Sequence, residues 1–112
     1  MRWKDVCRLA AQLPEVQLGV TYGSPALCVR GGLVARLLDD KKSIVVKVGM
    51  DERAALCAAK PATFLVTAAL ENYSMVVVRL AAAEPDELSR LLANSWRLAA
   101  PPSLVERSGR SL

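Results

Sequence analysis

YGSPALCVRGGLVARL, Tyr22 to Leu37, reads as two short strands folded about a glycine pair, with an arginine in each. Residues 26–30 (ALCVR) and 33–38 (LVARLL) have strand composition, and Gly31-Gly32 supplies a two-residue turn. Such a turn demands positive φ, which glycine adopts without steric cost. The stretch therefore predicts a β-hairpin, and the rest of the chain is placed around it.

Upstream, Trp3, Val6, Cys7, Ala10 and Leu13 recur at helical spacing, so residues 3–13 are predicted as a helix that Pro14 ends. Pro14, Gly19, Gly23 and Pro25 punctuate a loop between that helix and the hairpin. Downstream, the polar turn DDKK at 39–42 leads into SIVVKV at 43–48, a third antiparallel strand. A second helix, MDERAALCAAK at 50–60, carries Asp51 and Glu52 where the helix dipole favours negative charge. TFLVT at 63–67 and YSMVVVRL at 73–80 are predicted strands. EPDELSRLLANSWRLAA at 84–100 is a helix with Pro85 in its first turn, stopped by Pro101-Pro102. The order is α-β(3)-α-β(2)-α, an α+β fold with one mainly antiparallel sheet whose helices cover one face. One domain is predicted over residues 1–105, with 106–112 as a flexible C-terminal tail.

Composition narrows the function classes. The chain has 112 residues, enough for one core but not two. No apolar run approaches the ~18–20 residues needed to cross a bilayer. Asp5 and Arg8 interrupt the opening MRWKDVCRLA, which therefore lacks the continuous hydrophobic stretch of a secretory signal. A soluble cytoplasmic protein with no membrane partner is predicted.

Cys7, Cys28 and Cys57 form no CxxC pair and are odd in number, so they read as small hydrophobes, not as disulfides or zinc ligands. Histidine is absent, which removes Ser-His-Asp and Cys-His nucleophile systems and imidazole metal sites. Tyr22, Ser24 and Lys47 carry catalytic chemistry only if they meet, and no spacing signals that; Ser24-Pro25 is turn chemistry. No enzyme, catalytic residue, metal or cofactor is expected.

Net charge is +4, from ten arginines and five lysines against eleven acids, so the placement of the cations matters more than their total. Side chains alternate across a strand. One set is wholly apolar: Leu27 and Val29; Leu33, Ala35 and Leu37; Ile44, Val46 and Val48. It is predicted to face the helices. The opposite set holds Ala26, Cys28 and Arg30; Val34, Arg36 and Leu38; Ser43, Val45 and Lys47; and, in the last strand, Arg79 beside Met75 and Val77.

Arg30, Arg36, Lys47 and Arg79 thus share the open face, and Lys41 and Lys42 extend their field to a hairpin tip. Val34, Leu38, Val45, Met75 and Val77 lie on that same face. They predict a cover, either the segment around Leu104 and Val105 or a second chain in a homodimer. Trp3 and Trp96 fall at core spacing. No aromatic residue alternates with arginine on a strand, which weighs against a stacking platform for single strands.

Four pieces, LPEV at 13–16, YGSPAL-V-G at 22–31, VVKVGMDER at 45–53 and WRLAAP at 96–101, occur in an order that resembles the MmcQ/YjbR-like family of small bacterial proteins. The resemblance runs from Trp3 to about Leu104. It implies an α-β(3)-α-β(2)-α fold, close in layout to frataxin-like and secretion-chaperone-like proteins, and a double-wing, DNA-binding role. The sequence departs from the family pattern at Gly32, where a lysine is common, at Leu27 and Val34, where aromatics are common, and at Pro102-Ser103.

Two functions are expected from these readings. The first is binding of double-stranded DNA through phosphate contacts from Arg30, Arg36, Lys41, Lys42, Lys47 and Arg79. The alternative is a protein-interaction module or homodimer using the apolar part of the same face.

Overall fold

The hairpin exists, but its turn lies one residue earlier than glycine content predicts. The computed structural model describes residues 1–108. Strand β2 (Ser24–Val29) pairs antiparallel with β3 (Gly32–Leu37), Val29 opposite Gly32, so the turn is Arg30-Gly31. Both residues have positive φ, +46° and +85°. Gly32 has a different task. A Cβ there would collide with the carbonyl oxygen of Ala99, so the missing side chain lets a helix end rest on the strand.

A second hairpin, closed by Tyr22-Gly23 at φ +52° and +77°, joins β2 to a strand in place of the predicted loop. This is β1 (Val16–Thr21). Its period-two pattern is masked by Gly19 and by the prolines on either side. As an edge strand it also buries little: Leu18 and Val20 remain 64% and 74% exposed.

Beyond β3 come β4 (Ser43–Lys47), helix α2 (Met50–Ala59), β5 (Phe64–Leu65), a single 3₁₀ turn (Ala68–Leu70) and β6 (Met75–Arg79). The sheet order is β1-β2-β3-β4-β6-β5, and every neighbouring pair is antiparallel. The six strands exceed the predicted five by β1, within the predicted α+β class.

Helix α1 (Trp3–Ala10) stops earlier than predicted, because the residue before Pro14 is sterically disfavoured in helical conformation and proline has no N–H to donate. Helix α3 (Pro85–Ala99) carries Pro85, Asp86 and Glu87 in its first turn. With α1 it covers one sheet face, where Val6, Leu88, Leu92 and Trp96 pack on Leu27, Val29, Ile44, Val46, Val76 and Val78. Leu56 and Cys57 of α2 join the same core. Trp96 is fully buried and its Nε1 donates to the Pro14 carbonyl at 2.8 Å, whereas Trp3 lies half-buried at the rim. Helix α4 (Pro102–Ser108) occupies the start of the predicted tail, and residues 109–112 lie outside those described. Leu104 is buried in the helix-side core, so the C-terminal segment does not cover the open face.

Strict alternation fails at one point. Leu27 faces Ala35 and Cys28 faces Leu33, so Val34 is the extra residue of a β-bulge. The bulge turns Val34 into the core, fully buried, and leaves Leu33 on the opposite side. It also opens the ladder between β3 and β4. Ser95 of α3 fills the gap: its Oγ donates to the Val34 carbonyl at 2.6 Å and accepts the Lys47 N–H at 3.0 Å.

Candidate nucleic-acid interface

The face away from the helices is organised in cross-strand rows. Ser43 sits opposite Arg79; next along the strands come Ala26, Arg36, Val45 and Val77; then, on either side of the opened β3–β4 ladder, Cys28 faces Leu33 and Lys47 faces Met75. Arg36, Lys47 and Arg79 are therefore on one face, in three successive rows that span roughly 13 Å at ~3.3 Å per residue. None of the three has a carboxylate partner among the described residues.

Lys41 and Lys42 lie exposed in the β3–β4 turn. Asp40 builds that turn, its Oδ1 accepting the N–H groups of Lys42 (2.8 Å) and Ser43 (3.0 Å) and its Oδ2 the Ser43 hydroxyl. The Lys42 N–H above all holds the Asp40 carboxyl below its usual range. Lys42 and Arg79 then share a depression of about 450 Å³ with Asp40, Ser43, Val77 and Leu65.

Arg30 is not part of this cluster. In the β2–β3 turn its Nε and Nη2 each donate to the Glu15 carboxylate at 2.9 Å, a bidentate pair that Arg107 joins at 3.6 Å. Strand alternation placed Arg30 on the open face; positive φ and a carboxylate partner place it in a neutralised turn instead. The Arg30 hydrogen bonds hold Glu15 below the ordinary carboxylate range.

Part of the apolar face is covered from within the chain, while Leu33, Leu38 and Met75 stay half-buried. Val45 and Val77 are 1% and 3% exposed. Around Val45 stand Tyr22 from the β1–β2 turn, and Leu70 and Tyr73 from the segment between β5 and β6. That segment is held by Arg53 of α2. Its Nη1 donates to the carbonyls of Leu70 (3.2 Å), Tyr73 (2.7 Å) and Met75 (3.3 Å), and its Nη2 to that of Glu71 (3.0 Å).

Tyr22, 90% exposed, lies under the Arg36 guanidinium at 5.8 Å from the ring centroid. Tyr22 drew notice from the sequence only as a possible catalytic group beside Ser24 and Lys47, and Tyr73 and Arg53 carried no site signal, because aromatic residues were expected to act from within strands. The Tyr-Gly pair of the first turn was the available signal, since an X-Gly turn projects its first side chain into solvent.

The sequence model of the family described as YjbR matches residues 11–98. The chain belongs to the YjbR family. The match takes in every strand of the sheet, Arg53 and most of α3. Comparison with curated proteins and with solved structures finds no match. In this YjbR chain no described helix is long and apolar enough to cross a membrane, and no three described Cys, Asp or Glu residues gather as metal ligands. Ser24 and Lys47 sit two rows apart on non-adjacent strands, so the sheet register separates the groups on which a Tyr-Ser-Lys site would depend.

Proposed function

We propose that this YjbR-family chain is a non-catalytic binder of double-stranded DNA that contacts phosphates through Arg36, Lys47, Arg79, Lys42 and Lys41. The observation that carries the reading is selective pairing. Arg30, Lys60 and Arg107 form ion pairs with carboxylates, whereas among the described residues Arg36, Lys47, Arg79, Lys41 and Lys42 form none, and only Lys42 feels a nearby carboxylate, that of Asp40. Unpaired guanidinium and ammonium groups on one face favour a polyanion, and phosphate contacts require neither a metal nor a general base.

The test is a fluorescence anisotropy titration of a labelled duplex. With about four phosphate contacts, affinity should fall by ~10² between ~50 and ~200 mM salt. Arg79→Glu and Arg36→Glu should each weaken binding and flatten the salt slope, while Arg30→Ala should leave affinity within about twofold. Absence of binding at the lower salt, or equal loss in all three variants, rejects the proposal.

A second reading, self-association, is favoured by β1. It is a six-residue edge strand without a charged side chain, and it exposes Leu18 and Val20. The opposite edge, β5, has only two residues. Unprotected edges of that length are templates for pairing, and two β1 strands in antiparallel register would join two sheets into one. Light scattering should give a dimer that Val20→Lys converts to monomer; a wild-type monomer at high concentration removes this reading.

A further inference from the structure

A cup of about 250 Å³ opens on the uncovered face. Leu33, Val45 and Met75 form its floor, Tyr22 and Tyr73 stand at its rim, and Arg36 lies beside Tyr22. The two rings come from opposite sides of the central strands β3 and β4: Tyr22 from the β1–β2 turn, Tyr73 from the segment leading into β6. Both are exposed, at 90% and 59%, which is unusual for side chains that lose by contact with water. Both rings hang from constrained backbone. Tyr22 occupies a left-handed turn position, and Arg53 grips the carbonyls of Leu70, Glu71, Tyr73 and Met75. An apolar floor flanked by two exposed rings and a cation suits a flat, hydrogen-bonding ring attached to an anion. Lys47 stands opposite Met75, where it can meet the next phosphate.

We propose that the cup receives an unpaired nucleobase, so that the chain prefers single-stranded or locally opened DNA to closed duplex. The proposal rests on the phosphate-binding reading of the same face and adds to it a partner class. A base inside an intact duplex keeps its faces stacked on its neighbours, and only an extruded or unpaired base offers them to protein rings. The Arg36 guanidinium over the Tyr22 ring, 5.8 Å from its centroid, pairs a π-face with a positive charge, the two features that an unstacked base and its own phosphate call for.

One labelled oligonucleotide, titrated by anisotropy as a single strand, as a perfect duplex and as a duplex with one unpaired base, tests this. The single strand and the interrupted duplex should bind about tenfold or more tightly than the perfect duplex, given the stacking contribution of each base. Tyr22→Asn is the informative variant, because Asn-Gly is a favoured pair for this turn and the hairpin survives while the ring is lost. It and Tyr73→Ala should each reduce single-strand affinity about 5–100-fold and leave perfect-duplex affinity unchanged.

Duplex binding with no preference for unpaired bases, or ring variants that leave single-strand affinity intact, overturns the nucleobase site while the phosphate reading stands. Ring variants that weaken strand and duplex equally overturn it as well. Absence of binding to any form overturns both. Displacement of the strand by excess N-acetyltyrosinamide but not by a nucleoside monophosphate would make the cup a receptor for aromatic side chains, against the proposal.

Discussion

At the scale of single residues, two small side chains do work that their composition does not advertise. Ser95 is fully buried on α3, where serine is a poor helix former. Its hydroxyl completes the ladder that the Val34 bulge interrupts, joining helix to two strands at once. Ser95→Ala should cost about 1–3 kcal/mol, because it strands a buried carbonyl and N–H that no water can reach without a cavity. Urea unfolding measures this, and the exposed Ser89→Ala on the same helix should fall within about 0.5 kcal/mol of wild type. Gly32 acts by absence: any Cβ meets Ala99, so Gly32→Ala should cost about 1–3 kcal/mol, although the residue lies in a strand where alanine is otherwise the better occupant.

At the scale of elements, the segment between β5 and β6 depends on another element for its shape. It contains one 3₁₀ turn and little else that is regular, and Arg53 supplies its partners from α2. Arg53→Ala should raise amide exchange across residues 66–74 by tenfold or more, equivalent to about 1.4 kcal/mol or more of lost local stability. Arg53→Lys should not rescue it, because a single ammonium cannot fork across four carbonyls.

The β3–β4 turn has a similar dependence on Asp40. Its folded-state pKa lies below the unfolded value, so its contribution is complete above about pH 3.9. It is lost as pH falls through the lower folded value. Protection of the Lys42 and Ser43 amides should therefore be flat from neutrality down to that region and vanish below it.

At the scale of the whole molecule, one sheet separates an apolar side sealed by α1, α2 and α3 from a side that gathers cations and two tyrosines. The chain contains no histidine, the side chain whose ordinary pKa lies near neutrality. DNA affinity at constant salt should accordingly change less than about twofold between pH 6 and pH 7. A steeper dependence would point to titrating groups other than the guanidinium and ammonium groups proposed here.

The α+β class, the antiparallel hairpin, the three main helices and the helix-facing set of Leu27, Val29, Ala35, Leu37, Ile44, Val46 and Val48 were legible in the sequence alone. Their signals are local, set by period-two and period-3.6 patterns and by proline and glycine punctuation. Arg36, Lys47 and Arg79 were placed on a common face by the same rule. The pairing of Arg30 with Glu15, the inward turn of Val34, the docking of Ser95 and the arrival of Tyr22 and Tyr73 over Val45 were decided by tertiary structure. Each depends on contact between distant segments, and spacing along a chain carries no information about which carboxylate, carbonyl or ring will meet a given side chain once the sheet has closed.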